Sequence, residues 1–131
     1  MSTLLALIAV IGAASCESQS ERDTSTPAAG LVGHWTQVYK DGDVIAHHYY
    51  SSDGTHVMVA TSGDRDGEIA KHTYSVTTQN TKTRTLALKE VNTGDSSNSG
   101  ITRYEFSKDY KTMEQAGPYF PFVYVDHKEK P

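Results

Sequence analysis

From Gly33 to His127 apolar and polar residues alternate in short runs, and no stretch after Gly30 holds a helical apolar stripe of useful length. Period-two segments rich in Val, Ile, Thr, Tyr and Phe, split by Gly, Asp, Asn and Ser, mark half-buried strands. The pattern predicts strands over Gly33–Lys40, Val44–Ser51, Thr55–Thr61, Glu68–Thr78, Arg84–Val91, Gly100–Ser107, Thr112–Ala116 and Phe122–His127. The gaps are short, so neighbours are expected to pair antiparallel in a meander. Asp41-Gly42 and Asp53-Gly54 predict two-residue hairpin turns, which require positive φ. Asn92 to Gly100 reads as a longer polar connection. Curling such a meander shut removes its exposed edges. The expected fold is therefore all-β, an antiparallel meander barrel of about eight strands.

Alternation also assigns faces. A two-residue turn at Asp53-Gly54 sets Tyr50 opposite Val57 and His48 opposite Val59, and cross-strand partners share a face. That face is expected to hold His48, Tyr50, Val57 and Val59. The same logic groups His72, Tyr74 and Val76, then Leu86 and Leu88, then Tyr104 and Phe106. Lys71, Thr73, Ser75, Lys89, Arg103 and Glu105 fall on the other side. The first set is the expected interior, and in this register His56 points away from His48.

Ahead of the alternating region the pattern changes. Leu4 to Ile11 is an almost unbroken apolar run, followed by Gly12-Ala13-Ala14-Ser15 and the only cysteine, Cys16. The run is too short for a membrane span, which needs about 20 residues. An apolar run followed by small residues is an export signal. Ala13-Ala14-Ser15-Cys16 resembles the lipobox of bacterial lipoproteins, which implies a signal peptide over residues 1–15 and a lipid on Cys16. Plain secretion would cut at the same place and leave an unpaired thiol in an oxidising compartment. The resemblance implies a bacterial cell-envelope protein tied to the membrane through this lipid. Glu17, in the place where Asp retains lipoproteins at the inner membrane, implies the outer membrane, facing the periplasm. Glu17 to Gly30 has no large apolar residue, so residues 16–30 read as lipidated cysteine and flexible tether. Residues 31–131 are then a single domain.

Several motifs in that domain resemble lipocalins. Leu31-Val32-Gly33-x-Trp35 is similar to their Gly-x-Trp opening. Tyr50-Ser51-Ser52-Asp53-Gly54-Thr55 resembles the aromatic-x-x-Asp-Gly-Thr turn of small bacterial lipocalin-like domains. Tyr74-Ser75-Val76, Leu86-x-Leu88 and Tyr104 to Asp109 follow in the same order. The resemblance covers nearly all of Leu31 to His127 and implies a calycin-type β-barrel. Lipocalins also pack a late Arg across the opening Trp, where this chain offers Lys128.

The net charge of −4 excludes a basic nucleic-acid-binding face. No Gly-x-Ser-x-Gly elbow or phosphate-binding loop is present, so no enzyme activity and no cofactor are expected. Asp64 and Asp66, like Asp41 and Asp43, surround glycines and read as turn formers. The chain has six histidines. His47 and His48 point to opposite faces of a strand. His48 and His72 can meet inside, but the assigned register supplies no third ligand, and no metal site is expected. The eight tyrosines suit an amphipathic wall around a small hydrophobic or amphipathic molecule. Trp35, His48, Tyr50, His72, Tyr74, Tyr104 and Phe106 are the expected lining, with Trp35 as floor or core plug. The other reading is a solid barrel that binds a protein partner, an inhibitor or envelope-assembly factor, through aromatics around Tyr119 to Phe122.

Overall fold

The computed structural model describes residues 22–39, 41–116 and 122–128. A short helix α1 (Pro27–Leu31) precedes eight strands: β1 (Gly33–Tyr39), β2 (Val44–Tyr50), β3 (Thr55–Ala60), β4 (Ile69–Asn80), β5 (Thr85–Asn92), β6 (Asp95–Phe106), β7 (Thr112–Gln115) and β8 (Phe122–Asp126). Each strand pairs antiparallel with the next, and β8 returns to β1, so the sheet is a closed barrel. The all-β meander barrel expected from the alternation is the fold. Leu86, Leu88, Tyr104 and Phe106 are buried in its core, as expected.

The register between β2 and β3 differs from the expected one. Tyr50 lies opposite His56, Tyr49 opposite Val57, and His48 opposite Met58. The turn is the cause. The Ser51 N–H donates to the Thr55 carbonyl at 2.9 Å, and the Gly54 N–H to the Ser51 carbonyl at 3.1 Å. Gly54 has φ +92°. This is a three-residue hairpin loop with glycine in the left-handed position, not a two-residue turn. One residue of slip turns every side chain of the second strand to the opposite face. Val57 and Val59 therefore leave the expected interior, and His56 enters it.

Two other expectations change. The polar stretch after Asn92 is largely strand, because the Asn92 Oδ1 accepts from the N–H groups of Gly94 and Asp95 and makes a tight turn. β6 starts at Asp95, and pairing slips before resuming at Val91 with Ser99. Val76 does not enter the core. It remains 40% exposed and borders an outer groove beside α1, where a bulge interrupts pairing with β5.

One end of the barrel is shut by the segment expected to be a tether. Thr26 caps α1 with its hydroxyl, which accepts from the Ala29 N–H, and Pro27 starts the helix. Pro27, Gly30 and Leu31 are buried. The Trp35 Nε1–H donates to the Leu31 carbonyl at 2.8 Å. The Arg22 guanidinium lies 4.1 Å over the Trp35 ring, donates to the carbonyls of Gly30 and Val32, and pairs with Asp126 at 2.8 Å. The arginine over the opening tryptophan thus precedes it in the chain. Residues 22–30 are part of the domain, and the part of the expected tether before Arg22 lies outside the described residues. Leu31, Trp35, Leu88, Phe106, Tyr110 and Met113 fill the barrel above this lid.

Candidate functional site in the open half of the barrel

Strand direction places the turns after β1, β3 and β5 at the end away from α1. Toward that end the interior changes from apolar to polar. Above the apolar floor lie the phenols of Tyr50, Tyr104 and Tyr124, and the Tyr50 and Tyr104 hydroxyls are 2.8 Å apart. Burial pushes the Tyr124 hydroxyl up to about 12 and raises Tyr50 and Tyr104 well above the usual phenol range. All three stay neutral hydrogen-bonding groups at ordinary pH.

Among these rings lies a chain of buried polar contacts. Gln37 Oε1 is 2.7 Å from His48 Nε2, and His48 Nδ1 is 2.8 Å from His56 Nε2. His56 Nδ1 is 2.6 Å from Glu90 Oε1. The Tyr50 hydroxyl donates to the other Glu90 oxygen at 3.4 Å. Burial, followed by the neighbouring histidines, lowers His48 to about 3, so His48 is neutral and bears one ring proton. With the Gln37 amide turned oxygen-first, that proton is on Nε2. His48 Nδ1 then faces His56 Nε2, and the other His56 nitrogen faces the Glu90 carboxyl group. Glu90 is held by an imidazole on one oxygen and a phenol on the other, as a buried polar group requires.

His72 stands beside this chain. It is directly opposite His56 in the β3–β4 ladder, with ring centroids 5.5 Å apart. Its Nδ1 is buried without a hydrogen-bond partner. Desolvation lowers its pKa, opposed by Glu90. His56, His72 and Glu90 each offer one ligand atom within 4.8 Å of the others. A cavity of about 290 Å³ opens over these groups, lined also by His48, Tyr104, Tyr124 and Gln115, with residues 98–102 of β6 as one wall.

Of the seven expected lining residues, His48, His72 and Tyr104 border this cavity. Tyr50 supports it from below through Glu90 and Tyr104. Trp35 and Phe106 lie in the floor, fully buried, with ring centroids 6.0 Å apart. Tyr74 packs edge-on to Tyr50, donates to the Ser51 carbonyl and borders the outer groove. His56, Glu90, Gln37, Gln115 and Tyr124 join the site without being part of the expected lining. The sequence does carry a signal for Glu90, which continues the Leu86, Leu88 alternation by one step. His56 is hidden by the turn, and with it the third ligand that the expected register does not supply.

The remaining three histidines gather on the outer wall. His34 Nε2 is 2.9 Å from His47 Nδ1, and the His34 and His127 rings stack at 3.7 Å. Burial, then the charges of His127 and His47, lower His34 to about 4 against the pull of Asp126. Asp64 lies on an exposed 3-10 turn, Gly63–Arg65, and Asp66 is exposed just after it, as expected of turn formers. Of the aromatic patch at 119–122, only Phe122 is described, half-buried against Tyr39. Cys16 and the apolar run lie outside the described residues. Among the described residues no helix is long and apolar enough to cross a membrane.

Comparison with protein-family models, with curated proteins and with solved structures found no match.

Proposed function

We propose that this chain is a lipid-anchored, lipocalin-like protein of the bacterial envelope, held at the outer membrane through Cys16, whose barrel binds a small amphipathic molecule without covalent chemistry. The open cavity over a satisfied polar network carries this reading. A floor of closely packed rings stops a guest from passing through. Above it, neutral phenols, imidazoles and one carboxylate supply both donors and acceptors, which fix orientation. Apolar parts of the guest rest on the aromatic faces of Tyr104 and Tyr124. The cavity volume suits a small metabolite rather than a long acyl chain. The apolar run, the small residues and the single cysteine support the anchor.

Gly100 allows a direct test. It is paired with Glu90 across the ladder and so faces the cavity, and an added Cβ there meets nothing within 4 Å. Gly100→Trp is expected to fill the site without disturbing the fold. Native mass spectrometry of protein extracted from bacterial membranes reads both parts of the proposal. The expected species starts at Cys16, carries acyl mass, and holds a small adduct that collisional activation removes. Gly100→Trp keeps the acyl mass and loses the adduct. A mature chain without acyl mass refutes the anchor. An adduct that never appears, or that survives Gly100→Trp, refutes the cavity.

A further inference from the structure

We propose that His56, His72 and Glu90 form a site for a divalent transition-metal ion of the zinc class, with its remaining coordination position open to the cavity. The proposal rests on the cavity being a binding site and names the ion that would anchor the guest there.

The donor set is two imidazoles and one carboxylate, which with an open position is the make-up of zinc sites that take an outside ligand. The three residues lie on adjacent strands β3, β4 and β5, and His56 and His72 face each other directly. Zinc bonds of about 2.0–2.2 Å in tetrahedral arrangement place donor atoms roughly 3.3–3.5 Å apart. His56 Nδ1 and Glu90 Oε1 are 2.6 Å apart, bridged by a proton. Replacing that proton by a cation asks them to separate by less than an ångström. All three ligand atoms already lie within 4.8 Å of one another.

The surroundings match what a metal centre needs beyond its ligands. A ligating histidine is oriented by a hydrogen bond at its other nitrogen. His56 Nε2 makes one to His48, which Gln37 holds in turn. The second Glu90 oxygen is held by Tyr50, and Tyr50 by Tyr104. A purely structural hydrogen-bond chain would explain His56 and Glu90. It leaves His72 Nδ1 unexplained, and buried polar atoms without partners are rare. A cation beside His72 gives the imidazole a role.

The outer trio is a natural comparison. His34, His47 and His127 also bring ligand atoms within 4.8 Å of one another, but they include no carboxylate and do not border the cavity. His34 and His47 hydrogen-bond to each other, and no ring nitrogen of the outer trio is a buried atom without a partner, as His72 Nδ1 is. His56 and His72, with ring centroids 5.5 Å apart, line the cavity together with Glu90. With the ion in place, the open position takes water or an oxygen donor of the guest, so a carboxylate- or phosphate-bearing molecule is the class of guest favoured.

The test uses full-length protein stripped with EDTA and titrated with Co²⁺, whose visible d–d absorption reports nitrogen–oxygen coordination without any activity assay. The expected result is a saturable visible band displaced by Zn²⁺, together with a rise in Tm by mass action. His72→Ala, at a half-buried position, is expected to weaken binding at least about tenfold and to abolish the rise in Tm. Glu90→Gln is expected to act alike, and where it unfolds the chain His72→Ala decides alone. His127→Ala is expected to leave the band unchanged. A missing band in the wild type overturns the proposal. So does Co²⁺ affinity that is unchanged in His72→Ala or lost in His127→Ala. The adduct measured on wild type and on the Gly100→Trp variant before any EDTA treatment reports the cavity separately, so a failed metal site and a failed cavity give different results.

Discussion

His48 shows how one residue ties the site to stability. It is buried between Gln37 and His56, and its pKa falls to about 3 because burial disfavours the imidazolium. A histidine with a depressed folded pKa binds fewer protons folded than unfolded between about pH 3 and 6.5, so stability rises with pH across that window. The contribution is complete above about pH 6.5 and is lost progressively as pH falls toward 3. At about 1.4 kcal/mol per pKa unit, the total is on the order of several kcal/mol. His34, lowered to about 4 and half-exposed, adds a smaller acid-sensitive component. Urea midpoints from pH 7.5 to 4 are expected to fall steeply for the wild type and more shallowly for His48→Gln. Parallel slopes would show that the acid sensitivity lies elsewhere. At this scale the sequence is half legible. His48, His72 and Tyr104 follow from alternation alone. Glu90 obeys the same rule, yet a charged residue reads as solvent-facing unless a partner is known, and its partner is His56.

The hairpin between β2 and β3 decides where His56 points, so the element scale controls the site. All eight strands are evident from period-two patterning, since each has one face to bury. Their register is not, because loop geometry sets it and Asp53-Gly54 fits two loops differing by one residue. Gly54 selects the longer loop. Its φ of +92° is costly for an L residue, and an added Cβ would sit 3.1 Å from the Tyr74 carbonyl oxygen. Gly54→Ala is therefore expected to destabilise the protein by about 1–2 kcal/mol. If the turn also relaxes, Val57 exchanges places with His56 and metal or guest binding weakens further than stability alone explains. Chemical denaturation at fixed pH measures the first effect. An unchanged midpoint would mean the turn tolerates a side chain and does not fix the register.

Across the whole molecule the barrel is sealed at one end and polar at the other, and the seal comes from residues that composition places outside the domain. A polar stretch such as 22–30 buries little apolar surface of its own, so its sequence reads as spacer. It packs because the barrel end presents what it lacks. Trp35 offers a ring for Arg22, Asp126 offers a carboxylate, and Tyr110 leaves space for a residue without a side chain at Gly30. Burial alone would push the Asp126 carboxyl up, but the Arg22 hydrogen bond and charge outweigh it and hold the group below the usual carboxylate range. These contacts are long-range, up to 104 positions apart between Arg22 and Asp126, and no local pattern encodes them. A fragment starting at Leu31 removes Arg22 and the start of α1, leaves the Asp126 carboxylate without that partner, and uncovers the Trp35 face. Relative to a fragment starting at Glu17, it is expected to lose about 3–5 kcal/mol, the range for breaking a buried ion pair. Arg22→Ala in the longer fragment is expected to reproduce most of that loss. Tryptophan fluorescence reports the same event locally, because Trp35 is the only tryptophan and is fully buried. Its emission is expected to shift red in the shorter fragment. Equal stability of the two fragments, with unshifted emission, would show that the barrel closes on its own and that the N-terminal segment merely rests on it.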